Sequence, residues 1–230
     1  MRIRTALFPL ILLMPLLASA QTCQGPGKER WPVKTSLAAG AALGHATPVA
    51  LSALMALPGP GGVRHDDPRF ENRVIPPFPN SLHVREGQLL RTTGWLYLVA
   101  LEKGDCDFHL QISPQSHTLN SPPGPNDDSL IVEAPAPRFL RSAGLQQAGA
   151  AIRQYIETKL LRGHLPSNRA SVMIHAVCVE AAGQLFYDDA HLKANGAMEV
   201  RGKRGLKSHT LWELHPITSF RIVAPARCSG

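Results

Sequence analysis

The chain has 230 residues, with 24 Lys and Arg against 17 Asp and Glu and a formal net charge of +7 at pH 7. A surplus of this size favours anionic partners but does not by itself indicate a nucleic-acid-binding protein. The length excludes a mini-protein that depends on disulfides for folding, because about 200 residues can bury a core of their own.

Residues 1–20 have the pattern of a signal peptide. Arg2 and Arg4 precede an apolar run from Ala6 to Leu17, and Ala18-Ser19-Ala20 is typical of a cleavage site. No later run approaches the ~20 apolar residues that span a bilayer, so we predict no transmembrane segment after cleavage. The expected location is periplasmic or extracellular.

Four cysteines, Cys23, Cys106, Cys178 and Cys228, would meet an oxidising compartment after export. Four cysteines allow three pairings. The pairing that we favour joins Cys23 to Cys228 and Cys106 to Cys178. In the alternative, Cys106 and Cys178 are buried small hydrophobic residues without a bridge.

Residues 21–80 are rich in Pro and Gly and are predicted to form an N-terminal arm around the main domain, residues 81–230. The arm contains one short predicted helix, with Thr47 as its N-cap, Pro48 at its first position and the PGPGG segment at its end. The IPPFP segment at 75–79 breaks regular structure just before the main domain.

The main domain alternates short strand patterns with one helical pattern. Strands are predicted at about 88–102, with a bulge or bend at Gly94, and at 105–112, 129–135, 171–189 and 210–223. The fourth of these strands is expected to bend at Gly183. Leu145, Ile152 and Ile156 repeat at helical spacing between the third and fourth strands.

The predicted order β-β-β-α-β-β, with a long bent first strand, is that of the five-stranded OB-type barrel, a mainly β fold with one long helix. The alternative is an open α+β sheet. OB domains bind ligands across their second and third strands and at the loop between their fourth and fifth strands. Here that loop is basic and carries Arg201, Lys203, Arg204 and Lys207.

Acidic and histidine side chains follow the polar faces of these strands. Residues 105–112 alternate polar and apolar side chains, and the strand at 210–223 places Glu213 and His215 on one face. The candidate site residues are Asp105, Asp107, His109, Glu133, Asp188, His191, Glu213 and His215.

Four motifs in the main domain, DCDFHLQI, LIVEAP, FYDDAH and WELHPIT, occur in the order found in a family of exported bacterial proteins of unknown role. The chain resembles this family over most of its mature length, and RWPVKTS and ALPGP in the arm fit as well. The resemblance implies export and a shared fold, with no activity attached. The chain departs from the family pattern in its long basic insertion before WELHP and in Arg138 and Phe139, where a cysteine often follows the third strand.

Three functions fit these residues, and the sequence favours the first, a binding module, over the second, a hydrolase. A binding module would use the basic loop to hold an anionic ligand, such as a single-stranded nucleic acid or an acidic glycan. A metal-dependent hydrolase of phosphoesters would bind Zn²⁺ or Mn²⁺ through His109, His191 and His215, with Glu133 or Glu213 as general base. In the third interpretation, the acids and histidines form a structural hydrogen-bond network that fixes strand register.

Overall fold

The structure is a computed structural model that describes residue 25 and residues 29–229; the predicted signal peptide and Cys23 lie outside the described residues. The helices are α1 (Trp31–Lys34), α2 (Leu51–Met55) and α3 (Ala143–Leu160). The strands are β1 (Thr47–Pro48), β2 (Leu89–Leu101), β3 (Phe108–Ser113), β4 (Leu130–Ala134), β5 (Ser171–Tyr187), β6 (Arg201–Lys203), β7 (Leu206–Ser208) and β8 (Trp212–Ile222). Among these helices, none combines the length and apolarity that a membrane span requires.

Five strands close into a barrel in the order β2-β3-β4-β8-β5, because β5 pairs back onto β2. Neighbouring strands are antiparallel except β4 and β8, which are parallel. This closure confirms the OB-like barrel and excludes the open sheet.

Two long strands bend so that each takes part in two pairings. The register of β5 shifts at Gly183, as predicted, where an added Cβ would lie 2.8 Å from the carbonyl oxygen of Pro216. In β2 the shift falls between Leu96 and Leu98 rather than at Gly94. Gly94 instead allows the arm to approach, since a Cβ there would lie 2.6 Å from Leu51 Cδ2.

The apolar faces of the strands fill the barrel, and α3 packs against it. Phe108, Leu110 and Ile112 of β3 are fully buried, which follows from their period-2 spacing. On α3, Ile152 and Ile156 join the same core. Ser142 is the N-cap of α3, and its hydroxyl accepts a hydrogen bond from the Leu145 amide.

Apolar side chains of the arm are buried in the same core as those of the barrel. Leu51 and Leu54 of α2 are buried in the same apolar cluster as the barrel strands. The predicted helix start at Pro48 was wrong, because Thr47 and Pro48 pair in parallel with β2 and α2 begins only at Leu51.

The disulfides differ from the predicted pairing. Cys178 is bonded to Cys228, with Cα atoms 5.9 Å apart, so neither favoured pair was right. The reason is local: β8 runs antiparallel to β5, and the turn after β8 brings Cys228 back to Cys178. Cys106 is also disulfide-bonded, which excludes the unbridged alternative for both residues.

Candidate functional site

A turn occupies the position where the sequence predicted the first residues of the strand 105–112. Residues 103–105 form a turn and Cys106 has a left-handed backbone, with φ at 63°, so β3 begins at Phe108 and not at Asp105. The Asp107 side chain is buried, and it accepts a hydrogen bond from the Ala136 amide. The Asp105 carboxylate accepts one from the Asp107 amide.

Strand register brings three predicted site residues together on the outer face of the barrel. His109 on β3 lies directly opposite Glu133 on β4. The parallel register of β4 and β8 pairs Ile131 with Glu213, so two residues further along each strand Glu133 meets His215. The rows of acids and histidines therefore converge on Glu133.

His109 and Glu133 form a carboxylate–imidazole pair. The His109 Nδ1 atom lies 2.8 Å from Glu133 Oε1, while its Nε2 atom has no hydrogen-bond partner among the described residues. Burial would raise the pKa of Glu133, but His109 and His215 hold it well below its usual range. Glu133 is thus an acceptor, so His109 carries a proton on Nδ1 and directs Nε2 elsewhere.

His215 is fully buried and surrounded by carboxylates. Its Nδ1 atom lies 3.1 Å from Glu133 Oε2 and 3.5 Å from Glu213 Oε2, and its Nε2 atom lies 3.3 Å from Asp107 Oδ2. None of these contacts has hydrogen-bond geometry. Burial would lower the pKa of His215, but the three carboxylates raise it well above its usual value.

Asp107, Glu133 and His215 are the Asp, Glu, His or Cys residues of the described chain whose ligand atoms lie within 4.8 Å of one another. This set differs from the three histidines predicted as metal ligands. His109 faces Glu133 through one nitrogen only, and His191 lies at the pocket rim between Asp188 and Glu199, 3.5 and 3.3 Å from their carboxylates.

Arg201 occupies the outer part of the site as an ion-pair partner. Its Nη1 atom donates to Asp188 Oδ2 at 2.8 Å and also to Glu213 Oε1, and its Nη2 atom donates to the Thr210 carbonyl at 3.1 Å. The Arg201 side chain is 8% exposed. Its charge is therefore already paired inside the protein.

The basic loop forms a hairpin, β6–β7, that Gln111 fastens to the barrel. Gln111 accepts a hydrogen bond from the Lys203 amide and donates to the Leu206 carbonyl. The four predicted anion-binding residues are thereby separated: Lys203 pairs with Glu102 at 2.8 Å, whereas the side chains of Arg204 and Lys207 are exposed.

Lys34 is the site residue that sequence reasoning missed. It belongs to α1 in the arm, is 6% exposed and lies 3.1 Å from Glu29. Burial would lower the pKa of Lys34, but Asp188 and Glu213 raise it above its usual value. The RWPVKTS motif was the available signal, since it contains both Lys34 and Arg30, and Arg30 anchors the arm through its two contacts with Glu86.

These groups line one open pocket of about 460 Å³ on the barrel face. Its lining comprises Glu29, Lys34, Glu102, Gly104, Asp105, His109, Ile131, Glu133, Asp188, His191, Glu199, Val200, Arg201, Gly202, Lys203 and Glu213. Among residues 29–229, the lining contains no serine, threonine or cysteine that would serve as a nucleophile. Burial, together with the nearby carboxylates of Asp107 and Glu133, raises the pKa of Asp105 to about 7.

Comparison of the chain with protein-family models and with curated proteins finds no significant match. The resemblance to a family of exported proteins therefore stays a prediction, and the chemistry of the site is derived from its geometry.

Proposed function

We propose that the chain is an exported hydrolase of phosphoesters that activates water with His109. The observation that carries the proposal is the His109–Glu133 pair, in which Nδ1 is held at 2.8 Å by a carboxylate and the buried Nε2 atom has no protein partner. A carboxylate that fixes one imidazole nitrogen orients the other as a general base.

Water is the proposed nucleophile, since no described residue of the pocket lining offers a hydroxyl or a thiol. In the proposed step, the water oxygen forms a bond to phosphorus as its proton passes to His109 Nε2. The bond from phosphorus to the ester oxygen breaks, and the departing oxygen takes a proton from solvent at the open rim.

Three cationic side chains, Lys34, Arg201 and Lys203, line the same pocket together with seven carboxylates, and each of the three is paired with one of them. By contrast, Arg204 and Lys207 line none of the four described pockets. The pocket that holds His109 therefore supports a small substrate better than a long polyanion held on the hairpin.

Export is part of the proposal. The disulfide between Cys178 and Cys228 supports it, because such bonds persist in oxidising compartments. The predicted signal peptide supports it too, although it lies outside the described residues.

The test is hydrolysis of p-nitrophenyl phosphate and bis-p-nitrophenyl phosphate by the mature chain. His109→Gln should lower the rate by about 100-fold or more, because a positioned general base contributes about 10²–10⁴. The matched control is His175→Gln, since His175 is exposed on β5. Hydrolysis that His109→Gln leaves unchanged, or no hydrolysis of either ester, would contradict the proposal. If His109→Gln instead lowers the unfolding temperature markedly, the structural network is the better account of the pair.

A further inference from the structure

The cluster behind His109 has an uncompensated charge. Four carboxylates are buried there, those of Asp107, Glu133, Asp188 and Glu213. Lys34 and Arg201 accompany them, and Arg153 lies close enough to Asp107 for the two charges to interact. Leaving His215 aside, the carboxylates still outnumber these cations in a region where unpaired charge is costly.

The contacts around His215 point to what balances this charge. Both ring nitrogens lie 3.1–3.5 Å from carboxylate oxygens, yet neither makes a hydrogen bond of acceptable geometry. Only one of the two nitrogens can bind an ion, and one ligand atom from each of Asp107, Glu133 and His215 lies within 4.8 Å of the other two, close enough for one ion to lie between them. Like the two His215 nitrogens, Glu213 Oε2 is buried and has no hydrogen-bond partner among the described residues.

We propose that Asp107, Glu133 and His215 bind one divalent cation, Zn²⁺ or Mn²⁺. Two carboxylates and one imidazole form a mixed oxygen and nitrogen donor set, which suits these ions better than Ca²⁺ with its all-oxygen coordination. Glu213 Oε2, 3.5 Å from His215, is placed to accept a hydrogen bond from water on the ion.

The site deepens the proposed function, because Glu133 belongs to both. One of its oxygens holds His109 and the other faces His215. Asp107, Glu133 and His215 would hold the cation, which would supply Lewis-acid chemistry for a phosphoryl oxygen and for water. His109 would then act on a water molecule that is already polarised.

The test is isothermal titration of ZnCl₂ and of MnCl₂ into the EDTA-treated, dialysed mature chain. We expect one ion per chain, with affinity reduced by about 100-fold in Asp107→Asn and in Glu133→Gln, since each removes a charged ligand. The control is Glu102→Gln, a pocket-lining carboxylate outside the cluster, which should bind like the wild type. No binding, or binding that neither cluster variant weakens, would overturn the inference.

X-ray absorption of the Zn²⁺-loaded wild type keeps the inference falsifiable if the variants fail to fold. We expect one nitrogen ligand from imidazole with oxygen ligands; two or more imidazole ligands, or a sulfur ligand, would overturn the site. The proposed hydrolase is tested separately by its rate in EDTA. Hydrolysis that depends on His109 but not on metal would refute only the metal site, whereas stoichiometric metal without hydrolysis would refute only the enzyme.

Discussion

Replacing Arg201 by methionine should destabilise the protein strongly, although Arg201 belongs to the small β6–β7 hairpin outside the barrel. The side chain is 8% exposed and its Nη1 atom bridges the carboxylates of Asp188 and Glu213, which are themselves buried. Arg201→Met removes the positive charge and leaves two carboxylates unpaired in the interior. Breaking a buried ion pair from one side costs about 3–5 kcal/mol.

For a domain of this size, that loss lowers the unfolding temperature by roughly 6–20 °C. The assay is urea and thermal unfolding followed by circular dichroism. Adding Glu213→Gln to Arg201→Met should recover part of the loss, because it removes one stranded charge. Arg204→Met, in the same hairpin but exposed, should stay within about 0.5 kcal/mol of the wild type. A loss below about 1 kcal/mol for Arg201→Met is what an exposed pair would give, and it would refute the assignment of Arg201 as a buried structural cation.

Three further outcomes follow from the fold. Gly202→Ala should lower the free energy of unfolding by about 1–3 kcal/mol, because Gly202 has φ at 115° and an added Cβ would overlap the carbonyl oxygen of Leu206. In the same urea titration, Gly196→Ala should lower it less, since Gly196 has φ at 80° but no atom near the added Cβ. Cys178→Ala should lower the free energy of unfolding by about 4 kcal/mol, since its bridge closes a loop with a sequence separation of 50; a loss equal to that of an exposed Ser→Ala change would contradict this. Burial raises the pKa of Asp189 to about 6, above its value near 3.8 in the unfolded chain, so its contribution to stability is full below about pH 4 and is lost as the pH rises through 6. Asp189→Asn should flatten this part of the stability profile, and an unchanged slope between pH 4 and 7 would show that another group causes it.

The strands that hold the site were predictable because each has a local pattern. The alternation along residues 108–113 and 212–215 gives β3 and β8, and the helical spacing of Leu145, Ile152 and Ile156 gives α3. These patterns, taken in chain order, were enough to predict the OB-like barrel. They also placed His109 and His215 on polar faces, where the structure has them.

The meeting of Glu133 with His215 was not predictable, because it depends on a long-range pairing. Their strands, β4 and β8, lie far apart in the sequence and pair in parallel only once the barrel closes. A pattern within one strand contains no information about which strand lies beside it. For the same reason, the sequence did not show that Arg201 would turn inward to Glu213.

Two local features of the site could not be predicted from the pattern of polar and apolar residues. The polar and apolar alternation at residues 105–107 imitates a strand, but the positive φ of Cys106 ends that pairing and directs Asp107 toward His215. Lys34 was missed because a four-residue helix in a Pro-rich arm has no periodicity to reveal its buried face. Its approach to the pocket depends on the arm packing onto the barrel.

In the proposed mechanism, Glu133 holds His109 Nδ1 so that Nε2, a buried atom without a hydrogen-bond partner among the described residues, is the nitrogen that accepts the proton. Long-range ¹H–¹⁵N NMR of the histidine rings across a pH titration tests it directly. We expect the neutral His109 ring to carry its proton on Nδ1, which faces Glu133, and we expect Glu133→Gln to disturb this preference. A His109 ring that carries its proton on Nε2 at high pH would contradict the proposed general base.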